Sequence, residues 1–411
     1  MSGVNRPELL SPAGSMESLK AAVNGGCDAV YLGGKQFSAR QYAGNFDLKE
    51  LEDACDYCHL RGVKVYVTVN TVYKDEELAG FLTYIRSLYE MGVDALIMQD
   101  TGAERQVKAH FPDFPLHAST QMTCNSLADV KYWEGRGFDK IVLSRELSLE
   151  EIRHITENTE AEIETFVHGA LCVCYSGQCI MSSMLGGRSG NRGRCAQTCR
   201  LPYTLYKGYD SMAEGYLLSP KDVMTVEILP QLIEAGIASL KIEGRMKSPE
   251  YVAGVTRIYR KYIDLYFENP EEYKVDPADI KALQQLFNRG GFTEGYYTSF
   301  AGREMMSIER PKSWGLKVGI VDKYLPKYKK VTIRTREPLV PGDGLEIWTQ
   351  TEPHVGTNVS KHSKAGEVIT ITLEGDINKN DVVYRTFGKA LQDELKKTYE
   401  KDTRKLPIYG M

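Results

Sequence analysis

Short apolar runs alternate with longer amphipathic stretches along the first part of the chain, from Glu8 to about Phe267. The runs predict eight strands, which begin at Glu8, Ala29, Lys64, Ala95, Leu116, Lys140, Ile163 and Ser239. Several runs are almost continuously apolar, which is typical of parallel strands that are buried on both faces. Between them, apolar residues recur at helical spacing and glycines end the pattern. Eight similar strand–helix units predict an α/β fold, a (β/α)8 TIM-like barrel.

The pattern changes after Phe267, and the rest of the chain predicts a second, smaller domain. Residues 268–313 are typical of a linker that contains a helix. Residues 314–388 hold short runs separated by Gly- and Asn-Asp turns, which predict a small β-barrel domain of five or six strands. Residues 389–411 predict a C-terminal helix or tail. The sequence therefore predicts a catalytic barrel over residues 1–267, followed by a small β domain.

One unit of the barrel pattern differs from the others, because a long insertion and not a helix follows the seventh strand. This insertion, the cysteine segment (residues 169–216), begins GALCVCYSGQCIMSSMLGGRSGNRGRCAQTCR. The quoted stretch holds five of the nine cysteines and four arginines, but neither Asp nor Glu. An insertion at the carboxyl end of a barrel strand projects over the barrel mouth, where catalytic loops lie. We therefore expect the cysteine segment to contribute to the functional site.

Polar residues stand at the predicted carboxyl ends of the barrel strands. They are Asn70, Gln99, Asp100, Gln121, Arg145, His168, Lys241, Glu243 and Arg245. In a barrel of this type these ends meet at one mouth, which is where the active site lies. Each residue alone has a structural alternative as a loop cap, and Arg245 has another as an ion pair with Glu243. As a set, they favour a functional site at the mouth.

Composition limits the possible functions. The 411-residue chain has a formal net charge of −4 and a pI near 6.1, which excludes a globally basic nucleic-acid coat protein but not a local basic face. We find neither a signal-peptide pattern nor a run of about 18 apolar residues, so we expect a cytoplasmic protein that does not span a membrane. In such a reducing compartment, clustered cysteines favour a metal site over disulfides. Cys55 and Cys58 form a CxxC within an amphipathic helical pattern, where packing explains them better.

The spacing of the clustered cysteines, C-x-C-x4-C-x15-C-x3-C, favours an iron–sulfur cluster. Structural zinc sites usually use two short paired hooks, which this spacing provides poorly. An iron–sulfur cluster accepts irregular spacing, and nearby arginines and backbone N–H groups would moderate its negative charge. Zinc, or no metal at all, stays an alternative on the residues alone. Five thiols are available for four positions, and spacing does not identify the spare one.

Motifs along nearly the whole chain resemble the peptidase U32 family, also called the collagenase-like proteins. The resemblance rests on ETFVHGALCVCYSGQCIMSS, LLSPAGSMESLKAAVNGGCDAVYLGG, NRGRCAQTCRLPY, SLKIEGRMKSPEYV and FNRGGFTEGYY. Within the family, the chain is most similar to the bacterial proteins that hydroxylate tRNA. This implies a tRNA-modifying enzyme that makes 5-hydroxyuridine at the wobble position, uses prephenate as hydroxyl-donor co-substrate and carries a 4Fe-4S cluster. It also implies that the cluster ligands are Cys172, Cys179, Cys195 and Cys199, with Cys174 as the spare.

For the substrates that the resemblance implies, side-chain chemistry suggests roles for the other mouth residues. The two carboxylates of prephenate favour arginine partners, for which Arg145 and Arg245 are candidates, with Arg40 and Lys241 behind them. His168 and Glu243 are candidates for proton transfer. Arginines and tyrosines of the cysteine segment suit phosphate contacts and base stacking with RNA.

Other functions stay open. Relatives that hydroxylate a ribosomal RNA cytidine suggest another RNA as substrate. The family label suggests a peptidase, but the sequence contains neither HExxH nor GxSxG, so a peptidase would need a thiolate activated by a base such as His168. A non-catalytic RNA-binding protein with a structural metal is a third alternative.

Overall fold

The structure is a computed structural model that describes residues 5–299 and 302–405. In chain order, the strands are β1 (Glu8–Pro12), β2 (Ala29–Gly33), β3 (Lys64–Val69), β4 (Ala95–Met98), β5 (Leu116–Ala118), β6 (Lys140–Val142), β7 (Glu162–Ala170), β8 (Tyr203–Lys207), β9 (Asp210–Gly215), β10 (Asp222–Met224), β11 (Ser239–Ile242), β12 (Phe292–Thr293), β13 (Leu316–Leu325), β14 (Lys330–Thr335), β15 (Gly344–Trp348), β16 (Val355–Asn358), β17 (Val368–Thr372) and β18 (Val382–Phe387). The α-helices are α1 (Met16–Asn24), α2 (Leu48–His59), α3 (Leu78–Glu90), α4 (Thr101–His110), α5 (Leu127–Glu134), α6 (Leu149–Thr156), α7 (Met181–Gly186), α8 (Leu229–Glu234), α9 (Pro249–Glu268), α10 (Pro277–Leu286) and α11 (Lys389–Tyr399).

Within the described residues, eight strands close into a parallel barrel. β1 to β7 pair side by side in chain order, each parallel to the next. β11 then pairs in parallel with both β7 and β1, which completes the cylinder. Seven of the eight predicted strands begin at the predicted residue, and β7 begins one residue earlier, at Glu162. The predicted TIM-like fold is confirmed.

The helices around the barrel begin where the sequence supplies capping side chains. Ser15 caps α1 by accepting a hydrogen bond from a first-turn backbone N–H at 3.2 Å. Asp47 caps α2 and forms a reciprocal capping box with Glu50. The inner face of α2 buries Cys55 and Cys58, so the predicted packing role of this CxxC is confirmed.

Paired charges occupy part of the barrel interior. The Lys140 ammonium lies 2.8 Å from a Glu8 carboxylate oxygen, and the Lys241 ammonium lies 2.7 Å from Glu164. Glu164 is completely buried, and both lysines are nearly so. The Tyr66 hydroxyl donates to Glu8 at 2.6 Å. Because a buried charge is costly without a partner, each member of this network depends on the others.

The cysteine segment leaves the carboxyl end of β7, and the chain returns to the barrel through β10. The segment contains α7 and the antiparallel hairpin of β8 and β9. β10 pairs antiparallel with β7, with Val223 opposite Gly169. The insertion therefore starts and finishes beside the same barrel strand, at the carboxyl end where the sequence predicts it.

Residues 268–313 pack against the barrel and include α10, the helix predicted in this segment. β12 pairs in parallel with β10. Arg289 forms a 2.7 Å ion pair with Asp222 of β10. The Tyr297 hydroxyl donates to the Phe166 carbonyl of β7 at 2.6 Å. These contacts support the strands from which the cysteine segment emerges.

The C-terminal domain is a curled antiparallel sheet of six strands within the described chain, in the order β16-β15-β18-β13-β14-β17. Its core includes Val318, Ile333, Ile347 and Val383. β16 is not among the predicted strands, because its sequence, VGTN, has a single large apolar residue. The predicted C-terminal helix is present as α11, whose Tyr399 hydroxyl donates to Glu250 of α9 at 2.6 Å.

Candidate functional site

A cavity of about 160 Å³ opens at the carboxyl ends of the barrel strands, beneath the cysteine segment. Its wall combines strand ends with the segment itself. The predicted site residues that line it are Arg40, Arg145, Lys241, Glu243, Arg245, Cys172, Cys179 and Cys195. The fold thus brings together residues that lie more than 200 positions apart in the sequence. A concave site with convergent charged groups is the usual form of a small-molecule or substrate site.

Glu243 lies between two arginines in this cavity. One carboxylate oxygen is 3.1 Å from Nη2 of Arg40, and the other is 3.8 Å from Nη2 of Arg145. Burial opposes ionisation of this carboxyl group, but the two guanidinium charges outweigh it and hold the pKa of Glu243 below its usual value. Glu243 is therefore ionised near pH 7 and can act as a proton acceptor.

Arg245 is buried without a carboxylate partner within ion-pair distance among the described residues. Its guanidinium donates to the Thr68 hydroxyl at 2.6 Å and to the Ser38 hydroxyl at 2.7 Å. Burial, and then the charge of Arg40, lowers the pKa of Arg245 to about 10, so it stays cationic at neutral pH. The ion pair with Glu243 that the sequence offers as an alternative does not form. Its positive charge is left for a ligand.

Lys241 reaches the same cavity from below, but its charge is already balanced. Its ammonium pairs with Glu164 at 2.7 Å and lies 4.6 Å from the centre of the Tyr31 ring. The net charge on the cavity wall therefore comes from the arginines, and it exceeds the single charge of Glu243. Such a wall suits an anionic ligand.

The cysteines of the segment share one neighbourhood. Cys172, Cys179 and Cys195 line the cavity. Burial raises the pKa of the Cys199 thiol, the Arg200 charge opposes this, and the thiols of the other three are close enough to raise it further. Nη1 of Arg145 lies 4.0 Å from the Cys172 sulfur. Cys174 lies beside Cys179, which adds to the rise that burial causes in the Cys174 pKa.

These donors fit a thiolate-bound metal group in type and number. Four thiols on one segment, with arginine nearby and no disulfide among them, are the chemistry that an iron–sulfur cluster requires. Their present spacing is wider than a closed coordination shell, since no set of three or more His, Cys, Asp or Glu residues in the described ranges is close enough to hold a metal ion. The ligand set therefore stays a prediction.

Contacts with the barrel loops fix the middle of the cysteine segment. Arg192 donates to the Glu77 carboxylate at 2.7 and 2.8 Å. The Asn191 carbonyl accepts from the Val72 N–H at 3.2 Å. Gly193 has a φ of 75° and packs so closely that a Cβ there would lie 2.6 Å from the Ser38 carbonyl oxygen. These contacts place the stretch before Cys195 over the mouth.

The arginines of the segment divide into two pairs. Arg192 binds Glu77, and Arg200 donates to Leu171 and Ser219, so both serve the fold of the segment. Arg188 and Arg194 are exposed, and the Arg188 guanidinium lies 5.0 Å from the centre of the Tyr42 ring. Only the second pair remains accessible to a partner among the four arginines.

Comparison with known proteins places this site in a family. A sequence model described as Peptidase family U32 matches residues 14–307. The chain belongs to peptidase family U32. The predicted family membership is thereby confirmed.

Three relatives of this U32 protein carry informative names. It is 37% identical over 352 residues to tRNA hydroxylation protein P1 of Bacillus subtilis, which covers 84% of this chain and 83% of that protein. It is 40% identical over 371 residues to 23S rRNA 5-hydroxycytidine C2501 synthase of Escherichia coli, covering 88% of this chain and 55% of the synthase. It is 36% identical over 312 residues to a protein named collagenase in Porphyromonas gingivalis, covering 72% of this chain and 74% of that one.

His168 of this U32 protein does not reach the cavity. It is buried on the outer side of β7, with its ring centre 5.6 Å from that of Tyr259 and 5.5 Å from that of Phe292. Burial, and then the charge of Lys247, lowers the pKa of His168 to about 3. Its imidazole is therefore neutral at pH 7, and the structure separates it from the other predicted site residues.

Of the other predicted strand-end residues, some line the cavity and others make structural contacts. Asn70 and Gln121 line the cavity, whereas Gln99 donates to the Asn70 carbonyl at 2.8 Å and Asp100 caps α4. Several further residues line the cavity that are not among the predicted site residues: Tyr31, Ser119, Thr120, Phe166 and Asn191. Ser119 and Thr120 lie inside the run LHASTQM from which the fifth strand is predicted, but β5 ends at Ala118, so both residues follow the strand at the mouth.

Across the described ranges, none of the helices is both long and apolar enough to cross a membrane.

Proposed function

We propose that this U32 protein is an RNA-modifying enzyme that hydroxylates a pyrimidine base, with the wobble uridine of tRNA as its substrate and 5-hydroxyuridine as its product. The observation that carries the proposal is the shared cavity, where three thiols of the cysteine segment face three arginines at the barrel mouth. Two relatives that match most of this chain are named for hydroxylation of RNA. Because one name specifies tRNA and the other 23S rRNA, a ribosomal cytidine is the alternative substrate.

The arginines of the cavity support prephenate as the co-substrate that donates the hydroxyl group. Prephenate carries two carboxylates, and arginine binds a carboxylate through two parallel hydrogen bonds. Arg245 lacks an acidic partner, while Arg40 and Arg145 outnumber the one carboxylate between them. We propose that these three arginines bind the carboxylates of prephenate. Lys241 is assigned to the floor of the cavity, because Glu164 already balances its charge.

We assign Cys172, Cys179, Cys195 and Cys199 as the ligands of a 4Fe-4S cluster. A bound cluster supplies redox or Lewis-acid chemistry at the cavity wall. Nη1 of Arg145 lies 4.0 Å from the Cys172 sulfur, which places a positive charge beside one of the proposed ligands. Cys174 is the spare thiol in this assignment.

Glu243 is the candidate proton acceptor, since it is ionised and lines the cavity. His168 is too remote for this role. The RNA would approach over the rim, where Tyr175 lines the cavity with its side chain 60% exposed and can stack on a base that has turned out of the RNA. Arg188 and Arg194 are accessible for contacts with phosphates.

The test is mass spectrometry of the nucleosides from purified tRNA and, separately, from ribosomal RNA. A strain that lacks the gene is complemented with the wild-type gene, with Cys195→Ser, or with Cys174→Ser as the matched control. We expect 5-hydroxyuridine in tRNA with the wild type and the control, and its loss with Cys195→Ser. Persistence of the product with Cys195→Ser would contradict the role of the cluster. A hydroxylated cytidine in ribosomal RNA that depends on the gene would show that ribosomal RNA is the substrate.

Peptidase activity is the second candidate, because a relative that covers most of the chain is named collagenase. A cysteine peptidase needs a base that activates its thiol. Among the described residues, the buried His168 contacts aromatic side chains and no cysteine thiol, so it does not activate one. Incubation of anaerobically purified protein with denatured collagen and with a peptide library tests this function. Cleavage that is lost with Cys172→Ser while the iron content is unchanged would support it.

A further inference from the structure

Several buried polar atoms around the cavity have no hydrogen-bond partner within the described part of the chain. They are Oγ1 of Thr120, Oε1 of Gln121, Nε of Arg145 and Nε of Arg245. Buried polar groups are nearly always hydrogen-bonded, so a group of unpaired ones at a single cavity indicates a missing ligand. The two arginines have their roles in binding an anion. The Thr120 hydroxyl can also donate to an anion, but Oε1 of Gln121 is an acceptor, so an anion does not explain it.

The turn that carries Gln121 is firmly held. Residues Thr120–Met122 form a 3-10 turn, which ends at Thr123 in the left-handed conformation with a φ of 57°. The Thr123 hydroxyl donates to the Ser176 carbonyl of the cysteine segment at 2.8 Å. Gly177 packs against the same turn, since a Cβ on it would lie 2.5 Å from the backbone carbonyl oxygen of Gln121. The turn is therefore fixed between the barrel and the cysteine segment, and binding requires little ordering of it.

Neighbouring polar residues on this wall are already paired with each other. The Asn70 amide donates to the Ser119 hydroxyl at 3.2 Å and accepts from the Ala39 N–H at 3.1 Å. Oε1 of the Gln121 side chain, in contrast, is buried and has no hydrogen-bond partner among the described residues. The cavity thus has a cationic wall of arginines and a neutral wall on which the Gln121 amide has an unpaired acceptor oxygen.

We propose that Gln121, assisted by the Thr120 hydroxyl, binds the Watson–Crick edge of the target pyrimidine. An amide offers one donor and one acceptor side by side, which complements O4 and N3–H of uracil, or N3 and the N4 amino group of cytosine after rotation of the amide. A glutamine is therefore a suitable reader for either pyrimidine. This inference rests on the proposed function, and it adds a specificity-determining residue to it.

The first test is photo-crosslinking, which does not depend on turnover. The full-length protein is irradiated with tRNA that contains 4-thiouridine, whose sulfur replaces the O4 atom to be recognised. We expect the crosslink on the peptide that contains Thr120 and Gln121, and at least a tenfold lower yield with Gln121→Ala. Gln106→Ala, on an exposed position of α4, is the control and should crosslink like the wild type. A crosslink confined to other peptides would overturn the proposal.

The second test separates base reading from packing. Gln121→Glu keeps the shape of the side chain but removes the donor, and one such paired contact is worth roughly a ten- to hundredfold discrimination. We expect kcat/KM for tRNA to fall by about that factor with both Gln121→Glu and Gln121→Ala. Iron content and overall tRNA affinity, which phosphate contacts dominate, should not change. Unchanged kcat/KM, or loss of iron in both variants, would refute the role of Gln121. Failure of the proposed function would look different, because the wild type itself would then form no hydroxylated nucleoside.

Discussion

Arg192 binds Glu77 through its two terminal guanidinium nitrogens, Nη1 and Nη2, and so connects the cysteine segment to the loop after β3. Nη1 of Arg192 also donates to the Val72 carbonyl at 2.6 Å, which makes the attachment a three-point contact. Cys195 follows Arg192 by three residues. The ion pair therefore controls where one proposed cluster ligand stands relative to the cavity.

Replacement of Arg192 by Ala should loosen the segment without unfolding the protein. The pair is partly exposed, and exposed ion pairs contribute at most about 1 kcal/mol to the free energy of unfolding. We expect a small change in that free energy, but faster limited proteolysis within residues 169–216 and less iron per protein chain. Arg188→Ala, which removes an exposed arginine of the same segment, is the control. Equal proteolysis of the two variants would show that the ion pair does not position the segment.

The same ion pair predicts a pH dependence. Hydrogen bonds from Arg192 outweigh the effect of burial and lower the pKa of Glu77 to about 2, from a reference value of 4.5. Because the folded-state pKa is depressed, the contribution of Glu77 to stability is complete above about pH 4.5 and is lost as the pH falls toward 2. The difference in Tm between the wild type and Glu77→Gln should shrink over that range. A difference that stays constant from pH 6 to about pH 2 would contradict it.

Lys241 should prove essential for stability and not for ligand binding alone. Lys241→Met leaves Glu164, which is completely buried, without its partner. Loss of one partner of a buried ion pair typically costs about 3–5 kcal/mol in the free energy of unfolding. The double variant Lys241→Met/Glu164→Gln should recover much of that loss, as measured by denaturant unfolding. If the single variant is as stable as the wild type, Lys241 has no structural role in the floor of the cavity.

The barrel could be predicted from the sequence because its signals are local. Buried parallel strands are continuous apolar runs, and the helices between them show regular periodicity, so seven strands begin where predicted. β16 carries no such signal, since Val355 is its single large apolar residue. The mouth was predictable for a related reason. Strand ends are readable in the sequence, and parallel strands bring their ends together.

The position of His168 could not be predicted, because it depends on an irregularity in β7. Alternation along a strand would place His168 on the same side as Phe166, which lines the cavity. Consecutive residues of β11, Lys241 and Ile242, instead pair with Phe166 and His168, so Val167 is an extra residue in β7. This bulge turns His168 outward toward α9. Nothing in the sequence IETFVHG marks it.

His168→Gln therefore tests a structural role against a catalytic one. The side chain packs among aromatic rings in a buried site, so we expect a loss of about 1–3 kcal/mol in the free energy of unfolding. The pH profile of RNA hydroxylation should keep the shape of the wild type, since the imidazole is neutral and outside the cavity. A shift in that pH profile, with the protein still folded, would support the predicted role of His168 in proton transfer.

Replacement of Glu243 and replacement of Arg40 should affect different kinetic constants, although the two side chains lie 3.1 Å apart. Glu243→Gln keeps the shape of the side chain but removes the proposed proton acceptor, so kcat should fall by roughly 10²–10⁴-fold while KM for prephenate, the proposed co-substrate, changes little. Arg40→Gln removes part of the positive wall, so KM for prephenate should rise about ten- to hundredfold with a smaller effect on kcat, since a hydrogen bond to a charged group contributes about 1.5–3 kcal/mol. Both constants come from titration of prephenate against a fixed tRNA concentration, and Lys35→Gln, at an exposed position outside the cavity, is the control. If Glu243→Gln raises KM and leaves kcat intact, the carboxylate orients the arginines and does not take up a proton.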